Sequence, residues 1–217
     1  KTAFSILRQY HKRDDLDKAG WDTDHLGAKV QHLKASKGDE FSPQRLCDLL
    51  ANAQRCLDRG RADDAVARLY RLTEMVGQYR LSLTHNIHST SNVPLNALIH
   101  IASKYTNDRL ANKARDHPKH GRVVSLGLGD NIEILAEAGD PVGRFMKKRY
   151  GSFDASGPLQ NQLTKRNKSL LAHGVQPIKR EDAKELLIIV RAIVEHALER
   201  EGKCLADLLR PAGFASC

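Results

Sequence analysis

"SPQRLCDLLANAQRCLDRG", Ser42 to Gly60, runs directly into "RADDAVARLYRLTEMVGQYRLSL", Arg61 to Leu83, and this stretch decides the fold class. Ser42 is a helix cap, and Pro43 fits the first helical position, where its missing N–H costs nothing. Leu46, Leu49, Leu50 and Leu57 repeat at helical spacing, and Gly60 closes the segment. Ala65, Leu69, Leu72 and Val76 form the apolar stripe of the second segment, with acids early and Arg80 late, as a helix dipole prefers. With so short a turn between them, the two segments predict an antiparallel helical hairpin.

Outward from this hairpin, helical signals continue. Residues 1–41 are helical in pattern but highly charged, and read as an N-terminal extension or linker. Residues 42–217 read as one domain. From about 86 to 130 the signal weakens into a loop, one or two short helices between Leu95 and Arg115, and the polar "DHPKHGR", which together read as an insertion. "NIEILAEAGDPVGRFMKKRYGSF" restores the helix with a turn at Gly139-Asp140-Pro141. "GPLQNQLTKRNKSLLAHG" predicts a helix from Pro158 to a stop at Gly174. "KREDAKELLIIVRAIVEHALEREG" predicts the last long helix, apolar on Leu186, Leu187, Val190, Ile193, Val194 and Ala197. No β-rich alternation stands out, so the expected architecture is all-α, a bundle of four or more core helices.

Composition narrows the function classes. Lys and Arg total 35 against 26 acids, a formal charge of +9 that favours an anionic partner such as nucleic acid. The excess is clustered: Arg109, Lys113, Arg115, Lys119 and Arg122; then Arg144, Lys147, Lys148 and Arg149; then Lys165, Arg166 and Lys168. Cys47, Cys56, Cys204 and Cys217 form no CxxC pair, which fits reduced thiols and a cytoplasmic location. The longest aliphatic run, Leu186 to Val190, is far too short for a membrane span. The first residue is Lys rather than Met, which reads as a portion cut from a longer protein. His85 with His88, and His117 with His120, lack the Cys or Asp neighbours of a zinc site. No GxSxG elbow and no Gly-rich phosphate loop occurs. Neither a metal nor a cofactor is expected.

One basic helix stands apart. Arg166 and His173 are seven residues apart, so Leu159, Leu163, Arg166, Leu170 and His173 share one stripe. An Arg and a His on a leucine face suit an interface bordering a wet cleft, since neither tolerates a dry core without partners. An Arg followed by a His after four to six intervening residues decides little, because Arg80/His85, Arg115/His120 and Arg191/His196 satisfy that pattern too. Asn directly after the Arg occurs only at Arg166-Asn167, which alone also precedes a glycine stop.

"RNKSLLAHG", Arg166 to Gly174, resembles the catalytic motif of HEPN-domain ribonucleases, most closely the C-terminal HEPN domain of the CRISPR-associated type III CARF–HEPN proteins. "AVARLYRLTEMVGQYRL" and "GDPVGRFMKKRYGSF" are similar to the same family, from about Ser42 to Leu198. The resemblance implies a HEPN-type helical bundle and a homodimer in which two Arg/His pairs meet in one cleft. It implies metal-independent cleavage of single-stranded RNA by 2′-hydroxyl attack, leaving 2′,3′-cyclic phosphate ends. Arg166, Asn167 and His173 are then the catalytic residues, with Glu74 and Arg71 supporting them on the preceding helix. Lys165, Lys168, Lys147 and Lys148 are candidate RNA-backbone contacts. An upstream CARF sensor switched by cyclic oligoadenylate would control the activity. That sensor is absent from these residues, as in a portion of a longer protein or in a stand-alone HEPN protein. Two alternatives remain open. One is a HEPN toxin of a toxin–antitoxin pair, although Gly174, Val175 and Gln176 stand where several such toxins carry a Tyr. The other is a non-catalytic helical dimerisation or RNA-binding module.

Overall fold

The computed structural model describes residues 41–212 except 89, 105–107, 117–122, 152–155 and 168–176, together with Gly27, Val30, Gln31 and Lys34. The expected helices of the N-terminal extension therefore lie almost wholly outside the described residues.

The hairpin forms as its caps require. Helix α1 (Pro43–Asp58) starts at Ser42, whose hydroxyl accepts from the Arg45 amide at 3.3 Å, and Pro43 occupies the first turn. Gly60 turns the chain with a φ of +74°, and helix α2 (Ala62–His85) runs back along α1. The predicted stripe residues Ala65, Leu69, Leu72 and Val76 are fully buried. Asn86, in the left-handed region at φ 55°, ends α2.

Where one or two short helices were expected between Leu95 and Arg115, there are two, α3 (Leu95–Lys104) and α4 (Asp108–Asp116). A two-stranded antiparallel ladder flanks them, β1 (Val93–Pro94) on β2 (Val123–Val124), in the register Val93↔Val124 and Pro94↔Val123. Two-residue strands carry no readable alternation, so the sequence pattern could not announce them.

Helix α5 (Leu128–Glu137) and helix α6 (Pro141–Tyr150) are separated at the Gly139-Asp140-Pro141 turn. They are followed by helix α7 (Pro158–Asn167), helix α8 (Arg180–Glu199) and helix α9 (Leu205–Ala212). The last was not anticipated. The expected stop of the α7 segment at Gly174 lies outside the described residues. The architecture is an all-α HEPN-type bundle in which α2 packs against α1, α5, α7 and α8.

Two buried clusters hold the domain together. The larger joins α1, α2, α5, α6, α7, α8 and α9 through residues such as Leu46, Leu69, Leu72, Met146, Leu159, Leu186 and Leu205. The smaller joins the end of α2 to α3, both strands and α5 through Leu81, Leu98, Ile101, Val124, Ile134 and Leu135. Helix α5 serves both, with Leu128 and Ile132 in one and Ile134 and Leu135 in the other. It makes its closest approach to α6 at Gly143, where an added Cβ would stand 2.3 Å from Leu135 Cβ.

Candidate active site

Helix α7 carries the beginning of the motif, and three devices fix it. The first is its entry: the Gly157 amide donates to the Tyr150 carbonyl at 2.8 Å, and a bridge pairs Gly151 with Ser156. A Cβ on Gly157 would meet the Arg149 carbonyl oxygen at 2.2 Å, so only glycine fits this return. The second is apolar: Leu159 and Leu163 are buried in the larger cluster. The third is polar. The Gln162 side-chain amide donates to Glu185 at 2.6 Å, and Lys165 Nζ lies 2.6 Å from Asp182 Oδ1. Both carboxylates belong to α8, so the two helices are latched along their length.

Burial of these leucines corrects one expectation. Leu159 is wholly buried and Leu163 nearly so within the chain's own core. These two are covered inside the protomer and are not offered to a second copy, while Leu170 of the same stripe lies outside the described residues. The physical reason is that α7 lies against α2, α6 and α8, which together cover its apolar stripe.

Arg166 and Asn167 are the last two residues of α7. The Arg166 side chain lies outside the described structure, whereas Asn167 is exposed and engaged in a polar contact. Lys168 and His173 lie outside the described residues, so the Arg166–His173 distance is not part of the geometry. The chain is described again from Pro177, and the Ile178 amide donates to both carboxylate oxygens of Asp63, at 3.3 and 3.4 Å. Asp63 stands in the first turn of α2. The motif segment thus leaves the end of α7 and returns where α2 and α8 begin.

The remaining predicted residues are placed as follows. Arg71 and Glu74 pair with each other along α2 at 3.4 Å, and Arg71 also donates to Gln78 at 3.0 Å. This is a contact within one helix. It lies eight or more residues beyond Asp63, roughly 12 Å along the axis at the helical rise. On α6, Lys147 pairs with Glu133 of α5 at 2.9 Å, and Lys148 is exposed with no ion pair among the described residues. Next to them Arg149 caps the Phe145 ring at 3.4 Å, and His196 of α8 stacks on the ring at 4.3 Å.

Asp63, Asp182 and Glu185 escaped the sequence reading as site residues. The early acids of α2 were read only as helix-dipole complements, because pairing across 115 positions leaves no local signature.

His85 and His88 have different surroundings. His88 shares a 2.7 Å hydrogen bond with Asn86. His85 instead lines a polar cleft of about 400 Å³ with Asn86, His100 and Lys104. Burial pushes its imidazole below the usual value of 6.5, and Lys104 acts in the same direction against Asp140. Among the described residues no group of three His, Cys, Asp or Glu is placed to hold a metal ion. Nor is any described helix long and apolar enough to cross a membrane.

The sequence profile of the Csm6 HEPN domain matches residues 34–197, which include the hairpin, the smaller cluster, most of the larger one and the whole of α7 with the motif after it. No curated protein and no solved structure matches the chain at a significant level. A match over three quarters of the length, on an all-α bundle of this kind, establishes the family: the chain belongs to the Csm6 HEPN domain family, the HEPN nuclease effectors of CRISPR systems.

Proposed function

We propose that this domain is a metal-independent endoribonuclease that cuts single-stranded RNA, with Arg166, Asn167 and His173 as its catalytic residues. The observation that carries this reading is the position of "RNKSLLAH". It lies inside the matched region and starts at the end of a helix latched to the core by two α8 carboxylates.

The chemistry follows from the residue types. His173 removes the proton from a ribose 2′-hydroxyl as that oxygen attacks the adjacent phosphorus. The bond from phosphorus to the 5′-oxygen breaks, and the departing oxygen takes up a proton, giving a 2′,3′-cyclic phosphate and a 5′-hydroxyl. A second His173, from a partner copy, is suited to supply that proton. Arg166 forks donors onto the phosphate while negative charge builds on its non-bridging oxygens. Asn167 orients the pair by hydrogen bonding. Glu74 and Arg71 support the site from α2, and Lys147, Lys148, Lys165 and Lys168 draw in the RNA backbone.

A homodimer completes the cleft, since an isologous contact sets the two motifs opposite each other. In the intact protein an upstream CARF domain binding cyclic oligoadenylate governs the activity, and the location is cytoplasmic. The test is cleavage of a fluorescent single-stranded RNA in EDTA by the wild type, Arg166→Ala and His173→Ala. Cyclic-phosphate products from the wild type alone are expected. Equal cutting by all three would reject these residues as the source of the activity, and RNA left intact by the wild type would leave a non-catalytic RNA-binding module as the better reading.

A further inference from the structure

Resting on the reading of Arg166 and His173 as the reacting pair, we infer that Asp63 is a positioning residue for that site, holding the chain where the motif segment rejoins the domain. Asp63 stands 115 positions before Ile178, yet its carboxylate receives the Ile178 amide on both oxygens, at 3.3 and 3.4 Å. Its neighbour Asp64 is occupied otherwise, by Arg61 at 3.1 Å and Arg68 at 3.4 Å. The Ile178 side chain also packs on the larger core cluster, so side chain and amide are fixed together.

His173 lies five residues before this anchor, and Asn167 eleven before it. The opposite end of the segment is fixed by Gln162 on Glu185 and Lys165 on Asp182. Ile178 and the end of α7 are thus both held by contacts to the core, and His173 lies between them in the chain. A catalytic base displaced by about 1 Å can lose on the order of a hundredfold in rate. Releasing one end is therefore expected to lower turnover while leaving RNA affinity, which depends on charges elsewhere, nearly untouched.

The experiment uses this chain with Asp63→Ala, Asp63→Asn, Asp64→Ala and His173→Ala. Two readouts are taken: hydrogen exchange of the Ile178 amide, and kcat and KM on labelled single-stranded RNA. Asp63→Ala should speed Ile178 exchange about tenfold, the size expected when a hydrogen bond to a charged acceptor is lost. It should also lower kcat about tenfold at constant KM. Asp63→Asn keeps one acceptor oxygen and should restore part of both. Asp64→Ala removes the same charge from the start of α2 without touching Ile178, and should change neither.

Unchanged Ile178 exchange in Asp63→Ala overturns the inference whether or not RNA is cut. Wild-type kcat in Asp63→Ala, alongside an inert His173→Ala, overturns it as well. Full activity in His173→Ala is a different failure: it removes the ribonuclease assignment, while the exchange data still decide the anchor.

Discussion

Arg80 Nη2 stands 2.5 Å from Asp140 Oδ2, and Arg80 Nε donates to the same oxygen at 3.1 Å. The other oxygen, Oδ1, accepts the amides of Val142 and Gly143 at 2.8 and 2.9 Å. One carboxylate therefore caps α6 and ties it to the C-terminal part of α2. Glu201 closes the arrangement from the α8–α9 connection, 3.8 Å from Arg80 and hydrogen-bonded to the Tyr79 hydroxyl. The Arg80 side chain is 12% exposed and that of Asp140 3%, so neither charge can turn to water when its partner is lost.

Asp140→Ala is accordingly expected to cost about 3–5 kcal/mol, because it strands a buried guanidinium and uncaps a helix together. Asp140→Asn keeps the cap but weakens the pair, and should cost clearly less. Urea denaturation of the variants checks both, with wild-type stability in Asp140→Ala as the contrary result.

Gly143→Ala tests the close approach of α5 to α6. The added methyl would meet Leu135 Cβ at 2.3 Å and the Leu135 carbonyl carbon at 2.5 Å, and the latter, being backbone, cannot rotate away. Separating α5 from α6 would disturb both clusters, since α5 belongs to each. A loss of about 3 kcal/mol is expected, at the upper end for overpacking, and thermal melting would show it. Gly60→Ala, where nothing lies within 4 Å of the added Cβ, should lose only the smaller cost of its positive φ.

These two sites also show where sequence reading stops. The hairpin was legible because Ser42, Pro43 and Gly60 act on their immediate neighbours, and its leucines repeat at one period. The Gly139-Asp140-Pro141 turn was legible for the same reason. Asp140 as the partner of Arg80, sixty positions away, was not, and neither was Asp63 as the partner of Ile178. Of the stripe on α7, Leu159 and Leu163 are buried as a leucine face requires, but by the chain's own helices. A periodic leucine face announces burial without saying whether the chain's own helices or a second copy will supply it.

Cysteine reactivity should follow burial. Burial, with Asp48 nearby, pushes the Cys47 thiol up to about 12, so almost none is thiolate at neutral pH. Cys204 is exposed. Brief treatment of the native chain with iodoacetamide at pH 8 should alkylate Cys204 and spare Cys47 and Cys56, as read by peptide mass spectrometry. Denaturant should open both buried sites.

His85 gives a signed dependence on pH. Its folded pKa is depressed by burial and by Lys104, so the fold prefers the neutral ring. The unfolded chain takes up a proton near 6.5 while the folded one resists. The stability this preference contributes is fully present above 6.5 and is lost as pH falls through the lower, folded value. Replacing His85 with Gln should flatten the fall in melting temperature between pH 7 and pH 5 relative to the wild type. An unchanged profile would mean that other groups govern it.

The lysines separate by their present partners. Each phosphate contact releases counterions, so removing one should reduce the slope of log affinity against log salt by about one. Lys148 is exposed with no described ion pair, whereas Lys147 and Lys165 already face Glu133 and Asp182 at 2.9 and 2.6 Å. A paired lysine must leave its carboxylate before it can serve a phosphate, and the abandoned carboxylate then repels the RNA. Lys148→Ala should therefore weaken RNA binding and flatten the salt dependence more than Lys147→Ala or Lys165→Ala. Glu133→Gln should do the reverse, tightening binding by freeing Lys147. Fluorescence anisotropy with a labelled single strand across a salt series measures all four. Equal slopes for Lys148→Ala and the wild type would remove α6 from the RNA path.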